Sequence, residues 1–258
     1  MNLLINTWDV PSANFLGALD DGSGRWVKDY EGDPWHPNTE GHQEMFYAIV
    51  PTLFDAMEAG KPIPTKASGE EFATLGNIEG KLLTVYFDSA DTIHSWATSF
   101  WFRTKQENDY LAKIGPGSLQ IVQGRLRYTS DHDDLIQSKV NVSDGQGHHV
   151  VVSHRYAQGE TLLFVDGRLC GTVAEKVEPK KFAIGASEGG HDFKEWMVYR
   201  AALNEMEVQA LYDGKLLQAS LEIYAPLTDE KFQVNKPVQN RAQSLSEAIF
   251  TDMFTPNL

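Results

Sequence analysis

A single cysteine, Cys170, is the only thiol in this 258-residue sequence, so no disulfide can form within the chain. It sits in the strand-like run Leu163–Gly171 and reads as a small buried hydrophobe rather than a reactive thiol. Long apolar runs are missing too. None approaches the roughly 18 residues that a membrane span needs, so membrane insertion is not expected. The start, Met1 to Thr7, lacks a basic stretch and a small-residue cleavage site, so it does not read as a signal peptide. Positive charge is scarce: 36 acidic against 22 basic residues give a net charge of −14, and no local stripe of Lys or Arg offsets it. Such a surface repels phosphate backbones and argues against nucleic acid as a partner. Internal repeats and low-complexity tracts are absent.

What the sequence does contain changes grammar near residue 60. Leu3 to Trp8 reads as a short buried strand, followed by a loop rich in Asp and Gly and a helix from about Thr39 to Ala59. Met45, Ile49, Leu53 and Met57 recur every four residues along that helix, and Pro51 should kink or split it. Two prolines and a glycine at 60–64 stop both helix and sheet, which predicts a linker over 61–68. Beyond it come short alternating runs at strand length: Leu82–Phe87, Thr98–Thr104, Leu119–Val122, Arg125–Tyr128, His149–His154, Thr161–Val165 and Lys181–Gly185. Asp166-Gly167 is a two-residue hairpin signal, because glycine supplies the positive φ of a type I′ turn. Closely spaced strands of this kind predict a β-sandwich. One helix interrupts them, capped by Asn204 and ended by Gly214. The tail 229–258 turns apolar at Ile249-Phe250 and Met253-Phe254 and reads as a docking helix.

Four segments in order carry a family resemblance: Ser99 to Thr104, Asp144 to Val152, Thr161 to Gly167, and Trp196 through Asn204 and Glu207 to Gly214. Together they resemble the laminin-G-like domains of the concanavalin A-like lectin/glucanase class. The resemblance implies a mainly β fold, an antiparallel jelly-roll sandwich over 69–228, and a carbohydrate or glycoconjugate as partner. Gly147 stands where that pattern has tryptophan, so an aromatic is missing there or is supplied from elsewhere. Trp96, Tyr110, Tyr128 and Tyr156 are the candidates for stacking on a sugar. No cofactor is required, but such domains often hold calcium on loop carboxylates. Asp131, Asp133 and Asp134 are the candidate ligands here, although calcium needs six to eight oxygens converging from several segments.

Asp33-Pro34-Trp35-His36-Pro37-Asn38-Thr39-Glu40-Gly41-His42 resembles the last motif of the SGNH (GDSL-type) hydrolases. In that family the histidine is the base that activates a serine and the aspartate orients its ring, which would make His36 the base and Asp33 the orienting carboxylate. The strand at Leu3–Trp8 and the helix after Thr39 then resemble the last strand and helix of that α/β fold, over residues 1–60. No Gly-Asp-Ser turn occurs to supply the nucleophile. The expectation is therefore a binding module belonging to an SGNH-type carbohydrate esterase, carrying only the Asp/His part of the triad and inactive alone. An active acylhydrolase would need a serine from another chain or an upstream region. The parent is expected to be secreted, periplasmic or on the cell surface. The remnant is expected to associate with the missing hydrolase part or with a second copy.

Overall fold

The computed structural model describes residues 2–69, 71–185, 187–228 and 232–252. Among them the alternating runs become strands, and every strand pairing is antiparallel. One sheet runs β10 (Arg168–Ala174), β9 (Glu160–Val165), β8 (Gly147–Arg155), β3 (Trp96–Arg103), β12 (Gly190–Tyr199), β1 (Ala73–Ile78), with β13 (Leu221–Ala225) also on β12. The other runs β2 (Lys81–Asp88), β11 (Lys181–Ile184), β4 (Asn108–Ile114), β5 (Gly117–Val122), β6 (Arg125–Thr129), β7 (Leu135–Asn141). The β1–β2 hairpin carries the hydrogen-bond ladder from one sheet into the other. The result is a mainly β, jelly-roll-like sandwich.

Period two sends alternate residues of each strand into the space between the sheets. Phe100, Phe102, Val150, Val152, Leu163 and Val165 meet Val85, Phe87, Leu119, Ile121 and Leu126 there, with Trp96 and Trp196 filling the gaps. Each such side chain, fully buried, contributes about 1.5–3 kcal/mol of transfer free energy. The hairpin at Asp166-Gly167 forms as its sequence predicts, with both residues at positive φ. Gln123-Gly124 turns β5 into β6 in the same way.

The outer face of the first sheet is closed. Ala97, Val151, Leu162, Phe164, Met197 and Tyr199 point out from it and are covered by α5 (Glu205–Tyr212) through Val208 and Leu211. Asn204 starts that helix with a capping box, its side chain accepting from the Glu207 amide while the Glu207 carboxylate accepts from the Asn204 amide.

Two expectations need correction. Leu3–Trp8 is not a strand: α1 spans Asn2–Ile5 and a 3₁₀ turn spans Asn6–Trp8. No neighbouring strand pairs with it; instead Asn6 exchanges hydrogen bonds with Gln218 N and Leu216 O, and Leu3 packs against the cluster around α5. The tail does not dock as a helix either. β15 (Ala248–Thr251) pairs with the edge of β2 and carries β14 (Lys236–Val238) beside it, because β1 occupies only the first residues of β2 and leaves the rest of that edge free. Met253 and Phe254 lie outside the described residues.

The predicted helix is split around Pro51 into α3 (Thr39–Tyr47) and α4 (Leu53–Glu58). The expected stripe packs in part: Met45 joins the cluster of Ala18, Leu19 and Ala48, Ile49 and Leu53 are half-buried, and Met57 is exposed, while Gly41, Glu44, Ala48, Val50 and Ala56 are buried. With α2 (Leu16–Leu19), this helical segment lies directly on the sandwich. Ala202 N donates to Gly17 O at 3.2 Å, Asn14 N to Ser220 Oγ at 2.7 Å, and Ser220 Oγ to Ala48 O at 2.6 Å. Residues 61–69 contain no helix or strand.

Candidate functional site

With one outer face closed, the outer face of the second sheet becomes the open one. Directly opposed residues of neighbouring strands share a face. Tyr110 opposes Gln120, Gln120 opposes Arg127, and Arg127 opposes Gln137, so these four stand in one row across β4, β5, β6 and β7. Their neighbours Leu119, Ile121, Leu126, Tyr128 and Ile136 point inward to the core. Tyr110 is 50% exposed, and Gln120, Arg127 and Gln137 are half-buried. Arg127 Nη2 donates to Gln137 Oε1 at 3.1 Å, and Gln120 Nε2 donates to Ser118 Oγ at 3.2 Å. Arg127 Nε is buried without a hydrogen-bond partner and so is not a donor available at the surface. An aromatic ring is therefore followed across the sheet by planar amides and a guanidinium, all with donors or acceptors to spare. Asp109, buried next to Tyr110, fixes this end of the row by accepting from Glu188 N and Gly189 N at 2.9 and 2.6 Å, with His191 Nε2 at 3.2 Å.

Of the four aromatic candidates, the structure places only Tyr110 on this row. Trp96 is completely buried, 5.5 Å from the rings of both His154 and Phe182. Tyr128 is buried as well and donates to Glu175 Oε1 at 2.7 Å; burial and that carboxylate raise its pKa far beyond the ordinary phenol range. Neither ring has a face open to solvent. Tyr156 lies elsewhere, stacked on His94 at 3.8 Å, with its hydroxyl on Glu178 and Lys176 over its ring. His94 sits between Tyr156 and Tyr47, and its Nδ1 is 2.8 Å from the buried Glu44 carboxylate, which pins α3 to the sandwich.

Asp131, Asp133 and Asp134 occupy the turn between β6 and β7, which is held by Ser130: its Oγ accepts from His132 N and Asp134 N, and its amide donates to Asp134 O. Their carboxylates are exposed, and among the described residues no group of three or more His, Cys, Asp or Glu is arranged to hold a metal ion. The neighbouring histidines of β8 face opposite ways. His148 is held by Asp166 and Asp144 at 2.8 and 3.2 Å, while His149 Nε2 lies 2.8 Å from Ser99 Oγ under Trp101 and Tyr212. At Gly147, which is exposed, the nearest rings are those of Phe72 and Trp101, which a Cβ there would meet at 3.5 and 3.8 Å.

Asp33 and His36 are in contact within the turn that precedes α3. His36 Nδ1 lies 2.9 Å from Asp33 Oδ2, and Asp33 Oδ1 accepts from the amides of Trp35 and His36 at 2.7 and 2.9 Å. The His36 side chain, then the Trp35 amide, hold the Asp33 carboxyl below its ordinary pKa. Asn38 caps α3 by accepting from Gly41 N, and Gly41 has room for no side chain, since a Cβ would lie 2.4 Å from Tyr30 O. The pair is exposed, and His36 Nε2 has no hydrogen-bond partner among the described residues. A Gly-x-Ser-x-Gly run does occur at Gly185–Gly189, but it joins strand to strand rather than strand to helix. Its Ser187 is buried and donates to Gly189 O at 2.7 Å, so it is not a nucleophile elbow.

Residues 84–209 match the family model for the concanavalin A-like lectin/glucanases superfamily. No curated protein matches the chain significantly. Among solved structures, a Bacteroides ovatus protein provisionally described as carbohydrate-binding superposes with a TM-score of 0.53 at 13% identity, over 70% of this chain and 58% of that one. The SAP-like pentraxin of Limulus polyphemus gives 0.47 at 13% identity, over 73% of this chain and 97% of that one. Domains LG4-5 of the mouse laminin α1 chain give 0.43 at 16%, over 55% and 45%. The aligned region thus spans little more than half of the Bacteroides protein. The family match over residues 84–209 and the antiparallel strand order support a laminin-G-like, concanavalin A-like β-sandwich in this part of the chain.

Proposed function

We propose that the chain is a glycan-binding module whose ligand lies across the open face of the second sheet, over Tyr110, Gln120, Arg127 and Gln137. One observation carries this: a half-exposed tyrosine is followed, register by register, by three planar polar side chains on an outer face that no helix covers among the described residues. A sugar ring has an apolar C–H face suited to the tyrosine and rim hydroxyls that both donate and accept, which the amides and guanidinium can match. The row crosses four strands spaced about 4.8 Å apart, so it suits an extended oligosaccharide rather than one residue. The fold shared with the Bacteroides ovatus protein agrees with this reading. Binding of an oligosaccharide panel, followed by titration calorimetry, tests it. Tyr110→Ala and Arg127→Ala are each expected to weaken the best ligand by about tenfold or more. An affinity unchanged in both variants rules the face out.

A second reading rests on the Asp33–His36 pair. Its carboxylate already holds Nδ1 and its Nε2 is unengaged, the arrangement of a base waiting for a hydroxyl. In this reading the segment completes an SGNH-type esterase whose serine comes from outside these residues: His36 Nε2 takes the hydroxyl proton while Asp33 steadies the imidazolium. The chain alone is then expected not to hydrolyse p-nitrophenyl acetate above background. Turnover that His36→Ala abolishes would instead put the nucleophile within this chain.

A further inference from the structure

The seam between the N-terminal helices and the sandwich holds a second, separate concavity of about 420 Å³. It exists because Pro51 splits the helix: α3 ends and α4 begins on either side of a turn, leaving Phe46 and Phe54 facing the same groove. Both are strongly exposed, at 69% and 71%. The opposite wall comes from the sandwich, with Asp91, Thr92 and Arg200. A concavity of this size at the junction of two packed units falls within the range of ligand pockets.

The polar groups of this wall narrow the ligand. The Asp91 carboxylate and Thr92 hydroxyl have no hydrogen-bond partner among the described residues. Arg200 donates from Nε to Glu222, from Nη1 to Thr92 O and from Nη2 to Ser89 Oγ, which leaves two of its five N–H groups unassigned. An anion would be repelled by Asp91, and the charge of the buried Arg200 is already matched by Glu222 at 2.6 Å. A wholly apolar ligand would cover an unpaired carboxylate and hydroxyl without replacing their water, which is unfavourable. A neutral ring with one apolar face and hydroxyls at its rim meets neither objection, since aromatic walls take the face and the Asp91 carboxylate and Thr92 hydroxyl take the rim.

We propose that this groove binds a single neutral sugar ring, packed on Phe46 and Phe54 with its hydroxyls on Asp91 and Thr92. The ligand class follows the glycan reading above, but the site shares no residue with the Tyr110 row. Saturation-transfer NMR on the full chain with glucose, galactose, mannose, xylose and N-acetylglucosamine tests it, using Phe54→Ala, Asp91→Asn and Tyr110→Ala. All three side chains are exposed, so the variants keep their fold, which circular dichroism checks. At least one monosaccharide is expected to bind with Kd on the order of 1 mM, weakened about tenfold by Phe54→Ala and by Asp91→Asn and unchanged by Tyr110→Ala. No transfer to any of the five sugars, or transfer indifferent to both groove variants, overturns the proposal. Loss on Tyr110→Ala alone also overturns it while leaving the open-face reading intact; oligosaccharide binding lost only in the groove variants does the reverse.

Discussion

Replacing Arg200 by methionine is expected to lower folding stability by about 3–5 kcal/mol, read as a drop in the urea midpoint at unchanged slope. The side chain is 1% exposed and joins three parts of the molecule. Its Nε meets Glu222 Oε2 on β13 at 2.6 Å, while Nη1 and Nη2 hold the loop after β2 through Thr92 O and Ser89 Oγ. Glu222 Oε1 in turn accepts from Ser246 Oγ, which ties in the segment that leads to β15. Methionine fills much of the volume but leaves the Glu222 carboxylate buried without its countercharge, and that uncompensated group is the main cost. Arg200→Met combined with Glu222→Gln should recover a substantial part of the loss, because it removes the stranded charge. If the double variant is as unstable as the sum of the singles, packing rather than charge pairing is what Arg200 provides.

Acid is expected to weaken the fold through two histidines of β8. Burial pushes the pKa of His149 down to about 4 and that of His154 down to about 3, from an ordinary value of 6.5. Both are therefore neutral in the folded protein at pH 5, where the unfolded chain has protonated them. The unfolded state then binds more protons, so stability falls as pH falls. For His149 the contribution is fully present above 6.5 and is lost down to about 4; for His154 the loss continues to about 3. The slope approaches about 1.4 kcal/mol per pH unit for each histidine in the middle of its window. His148 runs the other way. Asp166, ahead of Asp144, raises its pKa against the opposing effect of burial, so its contribution is complete below 6.5 and fades as pH rises through its folded value. Urea unfolding at half-unit steps from pH 7 to 4 should show a shallower fall for His149→Gln than for the unaltered chain. Parallel curves would mean that His149 takes up its proton equally in both states.

Much of the sandwich was legible because its signals are local. Asp166-Gly167 needs positive φ at two adjacent residues whatever lies around it, and Asn204 with Glu207 makes a capping box from four consecutive residues. Leu3 to Trp8 was not legible, since a short apolar run is equally a strand or a helical turn until it is known whether a partner strand is within reach. Ile249-Phe250 misled for the converse reason: its partner, the free edge of β2, lies more than 150 residues away in sequence. Gly17 shows a limit of another kind. Nothing near it in sequence demands glycine, but a Cβ there would sit 2.2 Å from Ala202 O, where α2 rests on the sandwich.

The site was half legible. Alternation places Tyr128 in a strand but leaves Trp96 and Tyr110 outside the predicted runs, and only burial separates Tyr110 from the other two. Gln120, Arg127 and Gln137 were overlooked, although each is a polar residue next to buried apolar ones in the runs Leu119-Gln120-Ile121, Leu126-Arg127-Tyr128 and Ile136-Gln137. Their alignment into one row depends on strand register, which no single run contains.

The most direct measurement of the central claim is amide and side-chain NMR mapping of a bound oligosaccharide on the isotopically labelled chain. The open-face account predicts shifts confined to Tyr110, Gln120, Arg127, Gln137 and their neighbours on β4 to β7, lost together in Tyr110→Ala. Shifts centred on α5 or on the β8–β9–β10 side of the sandwich, or none with any glycan bound by the chain, would contradict it.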